Sequence, residues 1–182
     1  FMEQEKIFDY ADPEHGVDVV ASISAEQIDA LVDTFPTFPR ERVILSHNGY
    51  NSDVFHPVEN AYADRAAVLA GFSTMPPEGS GVAPVPVAPA DGFDAVVTFV
   101  GKFADWKRLD ALLGAAAIYE QHPTRKILTL VAGSGPLEDQ QKMHDLVAEL
   151  GLQRTYLVGP RPQDELATLF SVADVGCFPS YR

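Results

Sequence analysis

One cysteine and one tryptophan occur among 182 residues, and lysine plus arginine number 13 against 26 aspartates and glutamates. Each scarcity excludes something. A lone Cys177 rules out an intrachain disulfide. Inside the apolar run VGCF it reads as a buried small hydrophobe of a reducing, cytoplasmic setting. A reactive thiolate wants a basic neighbourhood, and this run supplies none. The net charge of −13 disfavours nucleic acid and anionic membranes as partners of the chain as a whole. No stretch of about 18 apolar residues is present, so no integral membrane segment is expected. The opening FMEQEKIFDYADPEHG lacks a basic region followed by an apolar one, so it does not read as a signal peptide. It reads as the middle of something longer. The five histidines, His15, His47, His56, His122 and His144, show no metal-ligand spacing.

What is present is an ordinary globular composition, 46% apolar and 10% aromatic, enough for one sizeable core. The charge is unevenly spread. Residues 1–100 hold 4 basic and 16 acidic residues, and residues 101–182 hold 9 and 10, so a local basic pocket is compatible with the second half.

The hydrophobic pattern predicts strands at 17–23 and 42–46 around a helix opened by a Ser24/Gln27 capping box. A breaker, FPTFPR, follows that helix. Residues 59–72 are helix-like, with Ala63, Ala66, Ala67 and Ala70 crowding one side. Residues 73–92 carry too much proline and glycine for regular structure and read as an extended loop or disordered insertion. From 95 onward the pattern is regular. Strands are predicted at 95–100, 127–132, 155–159 and 174–178, and helices at 107–122, 137–150 and 163–173, with Gly151 as a left-handed stop. Near-continuous apolar strands alternating with amphipathic helices imply an α/β fold, a doubly wound, Rossmann-like parallel sheet covered on both faces. Ligands of such sheets bind outside the carboxyl ends of the strands.

Four sequence signals fall at those ends. Gly101-Lys102, with Lys107 at the start of the next helix, places two ammonium groups near a helix N-terminus, an arrangement able to hold a diphosphate. Taken alone, two solvated surface lysines are the more ordinary reading. Gly133-Ser134-Gly135-Pro136 allows a tight turn and close backbone approach, or is a plain turn. Gly159-Pro160-Arg161-Pro162 is a rigid connector that can present backbone groups to a flat base. Asn48-Gly49 is either a hairpin turn or a glycine admitting a phosphate. Their shared placement at strand ends outweighs each signal alone.

With these residues in place, the sequence resembles the retaining glycosyltransferases of the B-type fold, family 4 (glycosyltransferase group 1). The resemblance is carried by VILSHNGYNSDVFHP, FVGKFADWKRLDALLGAA, LTLVAGSGP and YLVGPRPQDELATLFSVADVGCFPS and covers roughly residues 17–182. It implies a nucleotide-sugar donor, such as a UDP-, GDP- or ADP-sugar, whose glycosyl group passes to a hydroxyl acceptor with retention of configuration, without cofactor or metal. Lys102 and Lys107 would neutralise charge on the leaving diphosphate. Asn48 and Gly49 would lie beside the phosphates, and Gly101, Gly133, Ser134 and Gly135 would line the nucleotide. Arg161 and Pro162 would frame the base through main-chain groups, and Leu166 would pack near ribose or base. Residues 1–40 would be a remnant of the N-terminal acceptor domain with its linker, and 41–182 the nucleotide-sugar-binding domain, with 73–92 as its insertion.

Several positions depart from the family pattern. Lys102 stands where arginine is usual, Tyr50 and Asn51 replace valine and aspartate, and Trp106 and Arg108 flank Lys107. The family's pair of glutamates is expected just after Arg182, so this stretch alone is expected to be inactive and the intact parent active. Alternatives are a sugar-nucleotide epimerase, a sugar phosphorylase of similar architecture, or a non-catalytic nucleotide-binding module with 73–92 as its docking segment.

Overall fold

A computed structural model describes residues 16–181. The described residues divide into two compact units between Asn51 and Ser52. The boundary falls later than the 40/41 division read from the sequence, because the strand after the FPTFPR breaker pairs with the strand before it.

In the first unit, β1 (Val20–Ser22) and β2 (Val43–Leu45) run parallel, joined through α1 (Ala25–Thr34). Ile28, Phe38 and Val43 form its small core. The Ser24 hydroxyl accepts the Gln27 N–H at 3.2 Å, as the capping-box pattern predicts. The reciprocal half differs: the Gln27 side chain takes its hydrogen bond from the Ser22 hydroxyl. No hairpin forms at Asn48-Gly49, since β2 is already paired in parallel with β1 and residues 46–50 carry no turn.

The second unit is built on β3 (Ala95–Val100), β4 (Ile127–Ala132), β5 (Thr155–Gly159) and β6 (Val175–Gly176), all parallel, in the order β5-β4-β3-β6. The strands alternate with α3 (Leu109–Tyr119), α4 (Leu137–Glu149) and α5 (Gln163–Val172), and α2 (Arg65–Ala70) precedes them. Side chains on successive strand residues point to opposite faces. Val96, Leu128, Leu130 and Val158 therefore pack with Leu69 and Phe72 and with Leu169 of α5. Phe99, Val131 and Leu157 pack on the other face with Leu112 and Leu113 of α3 and Met143 of α4. The result is the doubly covered parallel sheet that the pattern implies. The α4 helix ends as expected: Gly151 takes φ +65°, and the Gly151 and Leu152 amides bond back to Ala148 and Val147.

Three expectations change. Only residues 65–70 of the 59–72 stretch form an α-helix, because Asn60 sits at φ 60° and turns occupy the residues before it. The alanine side of this segment faces outward, and Ala61 and Leu69 provide the buried contacts. The helix expected from 107 begins at Leu109. Lys107 lies in a 3-10 turn, Asp105–Lys107, and Arg108 adopts φ 51°. The proline-rich 73–92 segment has no regular element but is ordered by hydrogen bonds. It leaves and returns: Thr74 N–H donates to Val85 O and Val87 N–H to Phe72 O, and Met75 N–H donates to Leu157 O of β5. Val87 is fully buried in the core.

Candidate functional site

A cleft of about 620 Å³ opens beyond the carboxyl ends of β3, β4 and β5, where ligands of parallel α/β sheets bind. It is lined by the last residues of the strands and by the three loops that follow them. Seven residues singled out from the sequence meet there: Gly101, Lys102, Gly133, Ser134, Gly135, Arg161 and Leu166. Val100, Ala132, Pro136 and Pro160 complete the wall. Val100 and Ala132 were not anticipated as site residues. Their only sequence signal is that each ends its strand.

The loops are held together by their backbones. The Gly101 amide donates to Ala132 O at 3.0 Å, Gly133 to Gly159 O at 2.9 Å and Phe103 to Ser134 O at 2.9 Å. This lacing brings Gly133, at φ +141°, so close to the β3 loop that a Cβ there would lie 1.8 Å from Gly101 O. A Cβ at Gly135 would lie 2.5 Å from Phe103 O. Glycine is therefore demanded at both positions by the neighbouring loop.

The polar groups of the cleft are of two kinds. The Lys102 ammonium is exposed and, among the described residues, paired with no carboxylate. A compact, unpaired ammonium at the rim of a mostly apolar cleft attracts an anion. Arg161 is a cation of a different sort. Its Nε donates to Val158 O at 2.9 Å, an Nη to Ser73 O at 2.8 Å, and the guanidinium lies 5.6 Å from the centre of the Phe72 ring. The side chain thus braces the β5–α5 loop against the proline-rich segment, leaving the main chain of 160–161 at the cleft wall. The α4 helix begins at the same wall, where Pro136 is its N-cap without a side-chain cap. Helix N-termini leave amides unpaired.

The remaining candidates are not among these lining residues. Lys107 is not among the cleft residues, and its Nζ sits 4.2 Å from the centre of the Trp106 ring. Pro162 is the N-cap of α5, one residue past the wall. Asn48 and Gly49 belong to the first unit, follow β2 and are exposed. Gly49 is unconstrained, since a Cβ added there meets nothing within 4 Å. Among the described residues no cluster of three or more His, Cys, Asp or Glu could hold a metal ion. No described helix is long and apolar enough to cross a membrane.

The model of the family described as glycosyl transferases group 1 matches residues 87–182. A D-inositol 3-phosphate glycosyltransferase of Thermobispora bispora is 32% identical over 151 residues, covering 79% of this chain and 30% of that protein. One from Corynebacterium aurimucosum is 27% identical over 169 residues, covering 91% and 36%. The chain thus spans about a third of the length of these relatives. Among solved structures, HepE of Anabaena in complex with UDP-glucose superposes with a TM-score of 0.66 at 18% identity, covering 95% of this chain and 40% of that one. Sucrose-phosphate synthase of Thermosynechococcus elongatus superposes at 0.64 with 23% identity, covering 99% and 38%. At these identities the superpositions speak for the fold.

Proposed function

Because the chain belongs to the glycosyl transferases group 1 family, we propose that it supplies the donor-binding domain of a retaining glycosyltransferase that acts on a nucleotide sugar. The observation that carries this reading is the cleft at the tips of β3, β4 and β5, which gathers Lys102, the Gly133–Gly135 turn and the Arg161 loop around one volume.

The diphosphate lies along Gly101-Lys102 and the Gly133–Gly135 turn. Glycine lets the phosphates approach the backbone there, and Lys102 and Lys107 offset their charge. The base meets main-chain groups of the Arg161-Pro162 loop, with Leu166 beside the ribose or base.

In the reaction the bond from the anomeric carbon to the diphosphate oxygen breaks with its electron pair leaving on that oxygen. The acceptor oxygen bonds to the same face of the anomeric carbon. Its proton passes to the departing phosphate oxygen, so no side-chain nucleophile is needed. Positive charge fixed where negative charge grows stabilises this transition state. UDP-glucose is the molecule in the HepE complex and is the first donor to try. The inositol phosphate in the relatives' names makes a polyol phosphate the first acceptor class to try. The acceptor side is completed by the N-terminal domain of the same parent protein, in the cytoplasm and without a cofactor.

Calorimetric titration of this chain with UDP, GDP and ADP tests the reading. One of the three binds, and Lys102→Ala weakens that binding about ten-fold, the size of one charge-assisted contact. No heat from any of them, or an affinity indifferent to Lys102→Ala, contradicts the assignment.

A further inference from the structure

We infer that Trp106 is a positioning residue for Lys107, holding its ammonium in place and clear of any carboxylate for the donor's diphosphate. This rests on the donor-binding reading given above. The turn between β3 and α3 fixes the backbone: the Lys107 amide donates to Ala104 O at 2.8 Å and the Arg108 amide to Asp105 O at 3.1 Å. Arg108 then reverses the chain at φ 51° before α3 begins.

The cations around this turn are treated differently. Arg108 is paired with Asp110 at 3.1 Å, and Lys142 with Asp105 at 3.4 Å. Both nearby carboxylates are therefore engaged elsewhere. Lys107 has no carboxylate among the described residues and lies over the indole face at 4.2 Å. The backbone that carries the ring is itself tied, since Trp106 O accepts the Tyr181 amide at 3.2 Å.

The chemistry of that contact decides its use. A carboxylate would neutralise the ammonium and would have to be displaced by a phosphate. An aromatic face attracts the cation through its quadrupole and leaves the charge in place. A lysine stem left free in solvent would also lose rotamer freedom on meeting the phosphate. Resting on the ring, it has lost that freedom already.

The test is a double-mutant cycle read by calorimetric titration with UDP. The variants are Trp106→Ala, Trp106→Phe, Lys107→Ala and the Trp106→Ala/Lys107→Ala pair, with Lys102→Ala in the same series. Trp106→Ala is expected to weaken UDP binding about 2- to 5-fold, the range of an exposed cation–π contact. Trp106→Phe restores most of the loss, and Trp106→Ala costs nothing further once Lys107 is alanine. Thermal melts superposing on the wild type separate a lost contact from a lost fold. An unchanged or tighter affinity in Trp106→Ala overturns the inference, as does an equal loss in the Lys107→Ala background. If Lys102→Ala weakens binding while the Trp106 cycle is flat, only the inference fails. If UDP gives no heat, or Lys102→Ala has no effect, the donor-binding reading fails and the inference with it.

Discussion

Gly133 bears the tightest constraint in the cleft. Its φ of +141° and the 1.8 Å approach that a Cβ would make to Gly101 O act together. A methyl group cannot be accommodated by rotating a side chain, because the obstacle is backbone. Gly133→Ala is therefore expected to lose roughly 2–4 kcal/mol of stability, the size of a strained backbone plus a steric overlap. Denaturant titration measures it, and an alanine variant as stable as the wild type would contradict the account. The glycines of this turn were legible in the sequence only through their place at a strand end, since a short glycine motif taken alone reads as a plain turn. Which loop presses on Gly133 was not legible, since Gly101 is distant in sequence and meets it only through strand pairing. The same limit applies to Arg161. Its position was marked, but its bracing contacts to Val158 O and Ser73 O depend on how a proline-rich loop returns to the sheet.

Among the elements, β3, β4 and β5 occupy the residues read from the sequence. A strand buried on both faces announces itself as an unbroken apolar run. Turns and junctions were harder. Arg108 at φ 51° carries no glycine signal, so the helix after β3 read two residues too long at its start and placed Lys107 on it. The β6 junction hid a network as well. Asp174 accepts hydrogen bonds from the Val96 amide at 2.7 Å, from Arg65 at 2.9 Å and from the Tyr62 hydroxyl. It thereby ties α2 and the segment before it to β3 at the end of α5.

Burial alone would raise the Asp174 carboxyl, but the hydrogen bonds from Tyr62 and the Val96 amide and the Arg65 charge outweigh it and hold the group below its ordinary 3.8. A folded-state pKa below the unfolded one binds fewer protons, so this contribution stands in full above pH 3.8 and is lost as pH falls through the lowered value. Asp174→Asn should thus be less stable than the wild type at neutral pH, with the gap closing in acid below pH 3.8. Melting curves across that range check it. A gap that stays constant down to the acid limit would contradict the assignment.

For the whole molecule, the sequence carried the fold class because two periodicities alternate consistently from residue 95 onward. It carried less of the first unit, where two three-residue strands offer little pattern and only their pairing shows that β2 belongs with β1. The acidic excess lies in residues 1–100, and the near-neutral remainder contains the cleft with its unpaired lysine.

The proposed function puts the nucleotide diphosphate at the tips of β3, β4 and β5. A second apolar cleft between residues 55–62 and α5, lined by Phe55, Tyr62 and Phe170, is an internal control within the same unit. Amide chemical-shift mapping during titration with UDP-glucose reads both at once. Shifts are expected to concentrate at Gly101, Lys102, Gly133, Ser134, Gly135 and Arg161, with Val58, Tyr62 and Phe170 unmoved. Shifts centred on Phe55 and Phe170, or none at the tips of β3, β4 and β5 at saturating UDP-glucose, would contradict it.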